Sequence, residues 1–173
     1  MLKRLLASAA AAILTAAVVI GQIKPIKASA LLFTPNATVQ SEAAILMNTD
    51  LNEIVYEKNA DMKEMPGSLV HIMTAVIVLE ECADISGTKI AAKEEMFEVF
   101  DQDEYPEDLR KASIEAGESL TVEDLLYAMM LTSSIEAAYM LCDKFGDGSQ
   151  DAFAEKMNAK AEALGMTNTR FLN

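Results

Sequence analysis

From Ile72 to Leu79 every position is apolar except Thr74, and this run follows directly on Pro66-Gly67-Ser68-Leu69-Val70-His71. Pro-Gly is strong punctuation before a helix, and an apolar stretch with no polar face predicts a buried helix over 68–81. Upstream, Ala43-Ala44-Ile45-Leu46-Met47 and Glu53-Ile54-Val55-Tyr56-Glu57 flank the turn formers Asn48-Thr49-Asp50-Leu51-Asn52, a pattern that predicts a β-hairpin. Lys58 to Gly67 reads as a polar loop. Downstream, Thr121 with Asp124 three positions later is a capping-box signal for a helix whose apolar body is Leu125 to Leu131. Thr132-Ser133-Ser134 interrupts that helix, and Ile135 to Phe145 resumes it. Ser149 then starts a last helix with apolar contacts at Phe153, Met157 and Leu164, ending near Gly165, before an extended tail. The methionines scattered through these helices read as core filler.

The first thirty residues follow a different logic. Lys3 and Arg4 precede the uncharged run Leu5 to Ile20, and Ala28-Ser29-Ala30 is a small-x-small site. That order is the order of a secretory signal, so residues 1–30 are expected to be removed on export and 31–173 to form one domain. A retained anchor is the weaker alternative, because the apolar stretch reaches only Ile23. Four of the 14 basic residues lie in the signal and none of the 27 acidic ones, so the exported part carries a net charge of −17. Such a surface excludes nucleic acid, whose phosphates need a basic face, and disfavours anionic lipid. An extracellular, cell-wall or periplasmic location is expected.

Other candidate features are weaker. Glu94 to Asp108 holds eight acids, but without the spacing of a calcium loop around Asp101-Gln102-Asp103-Glu104 it reads as a solvated excursion. Asn36-Ala37-Thr38 fits a glycosylation sequon. Cys82 and Cys142 lie in apolar helical context and read as free buried thiols, with no metal-ligand spacing anywhere. No metal or cofactor is expected.

The chemistry concentrates at Ser68 and His71, the only histidine. A hydroxyl at a helix N-terminus is near free N–H groups and a positive dipole end, the placement a nucleophile wants. Three residues on, an imidazole shares its face and could take a proton at neutral pH. The short side chain must point backwards to do so, and no third residue is identifiable to orient it. Spacing alone therefore favours an N-capping serine with a half-buried histidine bonded to a neighbouring carbonyl over a Ser–His dyad.

The order of segments adds to this. The hairpin with Lys58-Asn59-Ala60-Asp61, then Met65-Pro66-Gly67-Ser68, Gly117-Glu118-Ser119-Leu120-Thr121-Val122-Glu123-Asp124-Leu125-Leu126, Glu136-Ala137-Ala138, and Leu164-Gly165-Met166-Thr167-Asn168-Thr169-Arg170-Phe171 resemble the serine D-alanyl-D-alanine carboxypeptidases. These are low-molecular-mass penicillin-binding proteins, and the resemblance runs through the whole exported part. It implies an α+β penicillin-binding-protein/β-lactamase-like transpeptidase fold, present here as a helical lobe plus N-terminal hairpin, the C-terminal strands being absent. It also implies a nucleophile, Ser68, acting on peptidoglycan stem peptides or β-lactams. The family's S-x-x-K, S-x-N and K-T-G motifs map onto this chain with departures. His71 stands at the lysine, Ser133 matches the second-motif serine, Ile135 stands at the asparagine, and no Lys-Thr-Gly follows.

Each departure has a physical meaning. Histidine is shorter than lysine and offers one acceptor in place of three donors. Ile135 puts an apolar group where an amide would hold substrate backbone. The expectation is therefore a member of this lineage with impaired or absent turnover. The alternatives are a non-catalytic exported module that binds muropeptides or a protein, and a hydrolase using Ser68 with His71 completed by a separate C-terminal fragment.

Overall fold

The computed structural model describes residues 39–98, 100 and 109–172. The expected signal (1–30), the sequon at Asn36 and the Asp101–Glu104 cluster lie outside them. The chain divides into two compact units, 1–64 and 65–173.

In the first unit, β1 (Ala44–Asn48) pairs antiparallel with β2 (Glu53–Lys58), with Ala44 opposite Lys58 and Asn48 opposite Glu53. The Asn48 side chain accepts from the N–H groups of Asp50 (3.0 Å) and Leu51 (3.1 Å), and Asn52 closes the turn at φ 52°. This is how asparagine stabilises turns: its side chain mimics a backbone acceptor and it tolerates left-handed φ. The register shifts between Leu46 and Met47, a β-bulge. Lys58 Nζ ties down the preceding segment by donating to the carbonyls of Val39 (3.0 Å) and Ser41 (2.6 Å).

The second unit is a helical lobe. A 3₁₀ turn, Gly67–Leu69, leads into α1 (Val70–Glu81); α2 (Glu94–Glu98), α3 (Val122–Thr132), α4 (Ile135–Phe145) and α5 (Gln150–Ala163) follow. Helix α1 packs on α3, α4 and α5, and α4 also packs on α2, α3 and α5. The core is Ile77, Val78, Val122, Leu125, Met129, Met140, Leu141, Phe153 and Met157 with smaller neighbours. Five methionines (73, 96, 129, 140 and 157) are buried in it, filling irregular gaps between helices.

Several boundaries and faces differ from the sequence expectation. The helix does not begin at Ser68, which lies in the 3₁₀ turn and makes no capping bond. Nor is α1 buried on all sides: Met73, Thr74, Ile77 and Val78 face the core while Ile72 and Leu79 are exposed. The acidic excursion contains α2, anchored by buried Met96. Leu164 is exposed, and Ala161 takes its place in the core. A second two-stranded sheet joins β3 (Lys89–Ala91) to β4 (Ser119–Thr121), a long-range pairing that the sequence reading did not contain.

The expected caps form at Thr121 and Ser149, and a further one forms at Ser134. Thr121 Oγ1 accepts from Asp124 N (3.0 Å) and the Asp124 carboxylate accepts from Thr121 N (3.3 Å), the two halves of a capping box. Bonds from the Thr121 hydroxyl and N–H hold the Asp124 carboxyl below its ordinary range. Ser134 and Ser149 cap α4 and α5, accepting from Ala137 N and Ala152 N, both at 3.2 Å. Between α4 and α5 the chain turns so tightly that a Cβ on Gly146 would lie 2.3 Å from the Ser149 carbonyl oxygen, so only glycine fits.

Candidate active site

Gly67, at φ +55°, turns the chain into the 3₁₀ turn and leaves Ser68 exposed just before the first turn of α1. No capping side chain occupies the start of α1, and no acidic residue lies in its first turn. The hydroxyl of Ser68 thus stands uncommitted beside the positive end of the α1 dipole.

His71 is half-buried one turn further on, and its ring N–H donates to the backbone carbonyl of Met129. Burial lowers its pKa below the ordinary 6.5, and the bond to Met129 opposes part of that shift. The imidazole is therefore neutral at neutral pH, with one nitrogen engaged as donor and the other left as acceptor. The bond has a backbone cause. At the end of α3 the Ser133 N–H donates to Ala128 O, five residues back, instead of to Met129 O. The imidazole supplies the Met129 carbonyl with a donor, as basic side chains do at helix C-termini.

Ser133 is the C-cap of α3 in left-handed conformation, φ 57°, ψ 35°. Thr132 Oγ1 and Ser134 N both donate to Ala128 O (2.8 and 3.3 Å), which fixes the reversal into α4. Ile135 is the first residue of α4 and half-buried; its N–H donates to the Arg110 carbonyl (3.0 Å). Thus the bond from His71 links the helix that follows Ser68 to the helix that ends in Ser133.

Two contributors were not singled out from sequence. One is the Met129 carbonyl, the orienting group for His71, which no side-chain motif could reveal. The other is Glu136, buried with 4% exposure, whose Oε2 accepts from Ala112 N at 2.6 Å and lies 3.4 Å from the Ser134 hydroxyl. Its signal was available: a carboxylate in the first turn of a helix otherwise opened by Ile135, Ala137 and Ala138. Elsewhere in the lobe, Cys82 and Cys142 are free thiols, and burial pushes Cys142 up to about 12 despite a bond with the Thr74 side chain. Among the described residues no cluster of His, Cys, Asp or Glu could hold a metal ion.

This lobe has the fold of the penicillin-binding proteins and DD-transpeptidases. The Streptomyces K15 DD-transpeptidase superposes with a TM-score of 0.72 at 31% identity, covering 80% of this chain and 53% of that one. A lysine-to-histidine variant of the same enzyme gives 0.70 at 33% identity, covering 78% and 53%. Residues 27–173 match the D-alanyl-D-alanine carboxypeptidase family (Peptidase S11), and the chain belongs to that family. Curated relatives include a D-alanyl-D-alanine carboxypeptidase of Streptomyces sp. strain K15, 35% identical over 139 residues, which make up 78% of this chain and 46% of the relative. Another is the D-alanyl-D-alanine carboxypeptidase DacF of Bacillus subtilis, 29% identical over 136 residues, covering 78% and 33%. The chain spans half or less of the length of these relatives.

Proposed function

We propose that this protein is an exported penicillin-binding protein in which Ser68 is the acylation site for D-Ala–D-Ala stem peptides and β-lactams, and in which turnover is impaired. The observation that carries the reading is the exposed Ser68 hydroxyl, uncommitted at the start of α1 in a chain of this family. In the reaction, Ser68 Oγ attacks the carbonyl carbon of the D-Ala–D-Ala peptide bond. The C–N bond breaks, the terminal D-Ala leaves as an amine carrying a proton, and water later hydrolyses the ester on Ser68. The free nitrogen of the neutral His71 ring takes the serine proton, and the Met129 carbonyl holds the ring in one tautomer, the role a third group plays for a catalytic histidine.

Two departures limit the rate. The imidazole is shorter than the family's lysine and is held toward α3 by Met129. Ile135 offers no side-chain amide to substrate. Components that act as one catalytic unit fail non-additively. Residues 1–30 serve export in this reading, which places the protein outside the cytoplasmic membrane; among the described residues no helix is long and apolar enough to cross a membrane.

A fluorescent penicillin tests the assignment. Covalent label on the wild type and none on Ser68→Ala is the expected result. Ile135 and the engaged His71 support a second reading, a muropeptide-binding module without chemistry. Retention on peptidoglycan with no label at high probe concentration would establish that one instead.

A further inference from the structure

Glu136 is a carboxylate in the lobe's interior that makes no ion pair among the described residues. Its 4% exposure means that its bonds are with protein rather than solvent. Charges this buried are rarely left without a purpose, because removing one from water is costly unless hydrogen bonds replace hydration. Here the replacement is the Ala112 N–H, a 2.6 Å bond, with the Ser134 hydroxyl at 3.4 Å. One residue earlier, the Ile135 N–H donates to the Arg110 carbonyl. Two adjacent residues of α4 thus grip alternate residues of one strand of loop, Arg110 and Ala112.

What lies immediately before the grip is the Ser133 turn. A non-glycine residue at φ 57° is held in a sparsely populated region and persists only where its surroundings over-determine it. On the α3 side, three donors converge on the Ala128 carbonyl: Ser133 N, Ser134 N and Thr132 Oγ1. On the α4 side, the restraints are the Ser134 cap, the Ile135–Arg110 bond and the Glu136–Ala112 bond. Of these, Glu136 is the only side chain that reaches out of the helix junction to the loop.

We infer that Glu136 is a positioning residue: by clamping Ala112 it holds the left-handed Ser133 turn in the orientation that acylation at Ser68 requires. This deepens the acylation reading above and rests on it for its kinetic arm. Glu136 touches no substrate in this account. It acts through the backbone, so a neutral acceptor of the same shape suffices.

The test uses the intact protein with Glu136→Ala, Glu136→Gln and a control, Ser149→Ala, which removes the α5 cap elsewhere in the lobe. Acylation by fluorescent penicillin is separated into probe binding and the covalent step. The expected result is a tenfold or greater slowing of the covalent step in Glu136→Ala. Glu136→Gln, which keeps an oxygen for the Ala112 N–H, should stay within threefold of wild type, and so should Ser149→Ala. Equal loss in Ser149→Ala, or wild-type acylation in a folded Glu136→Ala, would overturn the inference. Amide hydrogen exchange stands independently of any acylation. In Glu136→Ala the amides of Ala112 and Ile135 should exchange at least tenfold faster while those of Ile77 and Val78 in α1 do not change; unaltered exchange at Ala112 and Ile135 overturns the clamp even if the wild type takes no label.

Discussion

The ring of His71 and the backbone carbonyl of Met129 are joined by a hydrogen bond that links α1 to the last turn of α3. One bond thus does two things. It gives a donor to a carbonyl that the Ser133 amide has bypassed, and it selects which imidazole nitrogen remains free. A lysine at this position would present three donors and no acceptor when charged. Histidine here therefore offers an acceptor that a charged lysine would lack, and it ties α1 to the end of α3.

That link titrates. Because burial lowers the His71 pKa below 6.5, the unfolded chain takes up a proton before the folded one does. The contribution is fully present above the unfolded value and is lost as pH falls through the folded one. Urea unfolding compared between about pH 7.5 and 5.5 should show wild type losing more stability than His71→Gln, which keeps a donor for Met129 but does not titrate there. An equal loss in both proteins would mean that His71 contributes nothing to the pH dependence.

The capping box at the start of α3 should be separable from the core beneath it. Thr121→Ala removes the acceptor for Asp124 N and is expected to cost about 1 kcal/mol in chemical denaturation, without change in m-value. A loss under about 0.3 kcal/mol would show that solvent replaces the cap freely.

Burial ranks the leucines of the same helix. Leu125 is fully buried, whereas Leu131 is 77% exposed. Leu125→Ala should cost about 2–5 kcal/mol and Leu131→Ala no more than about 0.5 kcal/mol. Equal costs would contradict the packing of α3 against α1 and α4.

Cys142 should behave as an inert thiol. With its pKa near 12, the reactive thiolate is scarce at ordinary pH, and alkylation at pH 8 should require unfolding. Mass spectrometry after a timed iodoacetamide pulse, native against urea-unfolded, reads this at the level of the Cys142 peptide. Rapid native labelling would refute the burial.

The parts of the fold that the sequence made legible are those written in local chemistry. Two β-rich runs around the turn formers Asn48 to Asn52 specified the hairpin, and Thr121 and Ser149 marked two helix starts because capping is settled within four residues; the cap at Ser134 was read only as an interruption. The short β3–β4 ladder left no such trace. Its strands have three residues each, and Ile90 finds Leu120 only through the tertiary fold. Helix α2 was masked by its acids, with Met96 buried and Phe97 packed against the core beside it. At the candidate site, Ser68 was suggested by its place at a helix start and Ser133 only by the family resemblance. The partner of His71 was not, because a main-chain carbonyl carries no residue code, and Glu136 was overlooked because its bond crosses to a loop remote in sequence.

The bulge between Leu46 and Met47 bears on how the protein behaves at high concentration. Ile45, Leu46, Met47, Leu51 and Ile54 are all exposed on the hairpin, a composition that invites sheet stacking between molecules. Stacking in register needs straight, uninterrupted ladders, and the extra residue Val55 in β2 breaks this one opposite Leu46 and Met47. With Glu53 and Glu57 spaced along β2, the interruption is expected to oppose fibril growth. Deleting Val55, the extra residue that β2 carries opposite Leu46 and Met47, would straighten the ladder and is expected to remove that interruption.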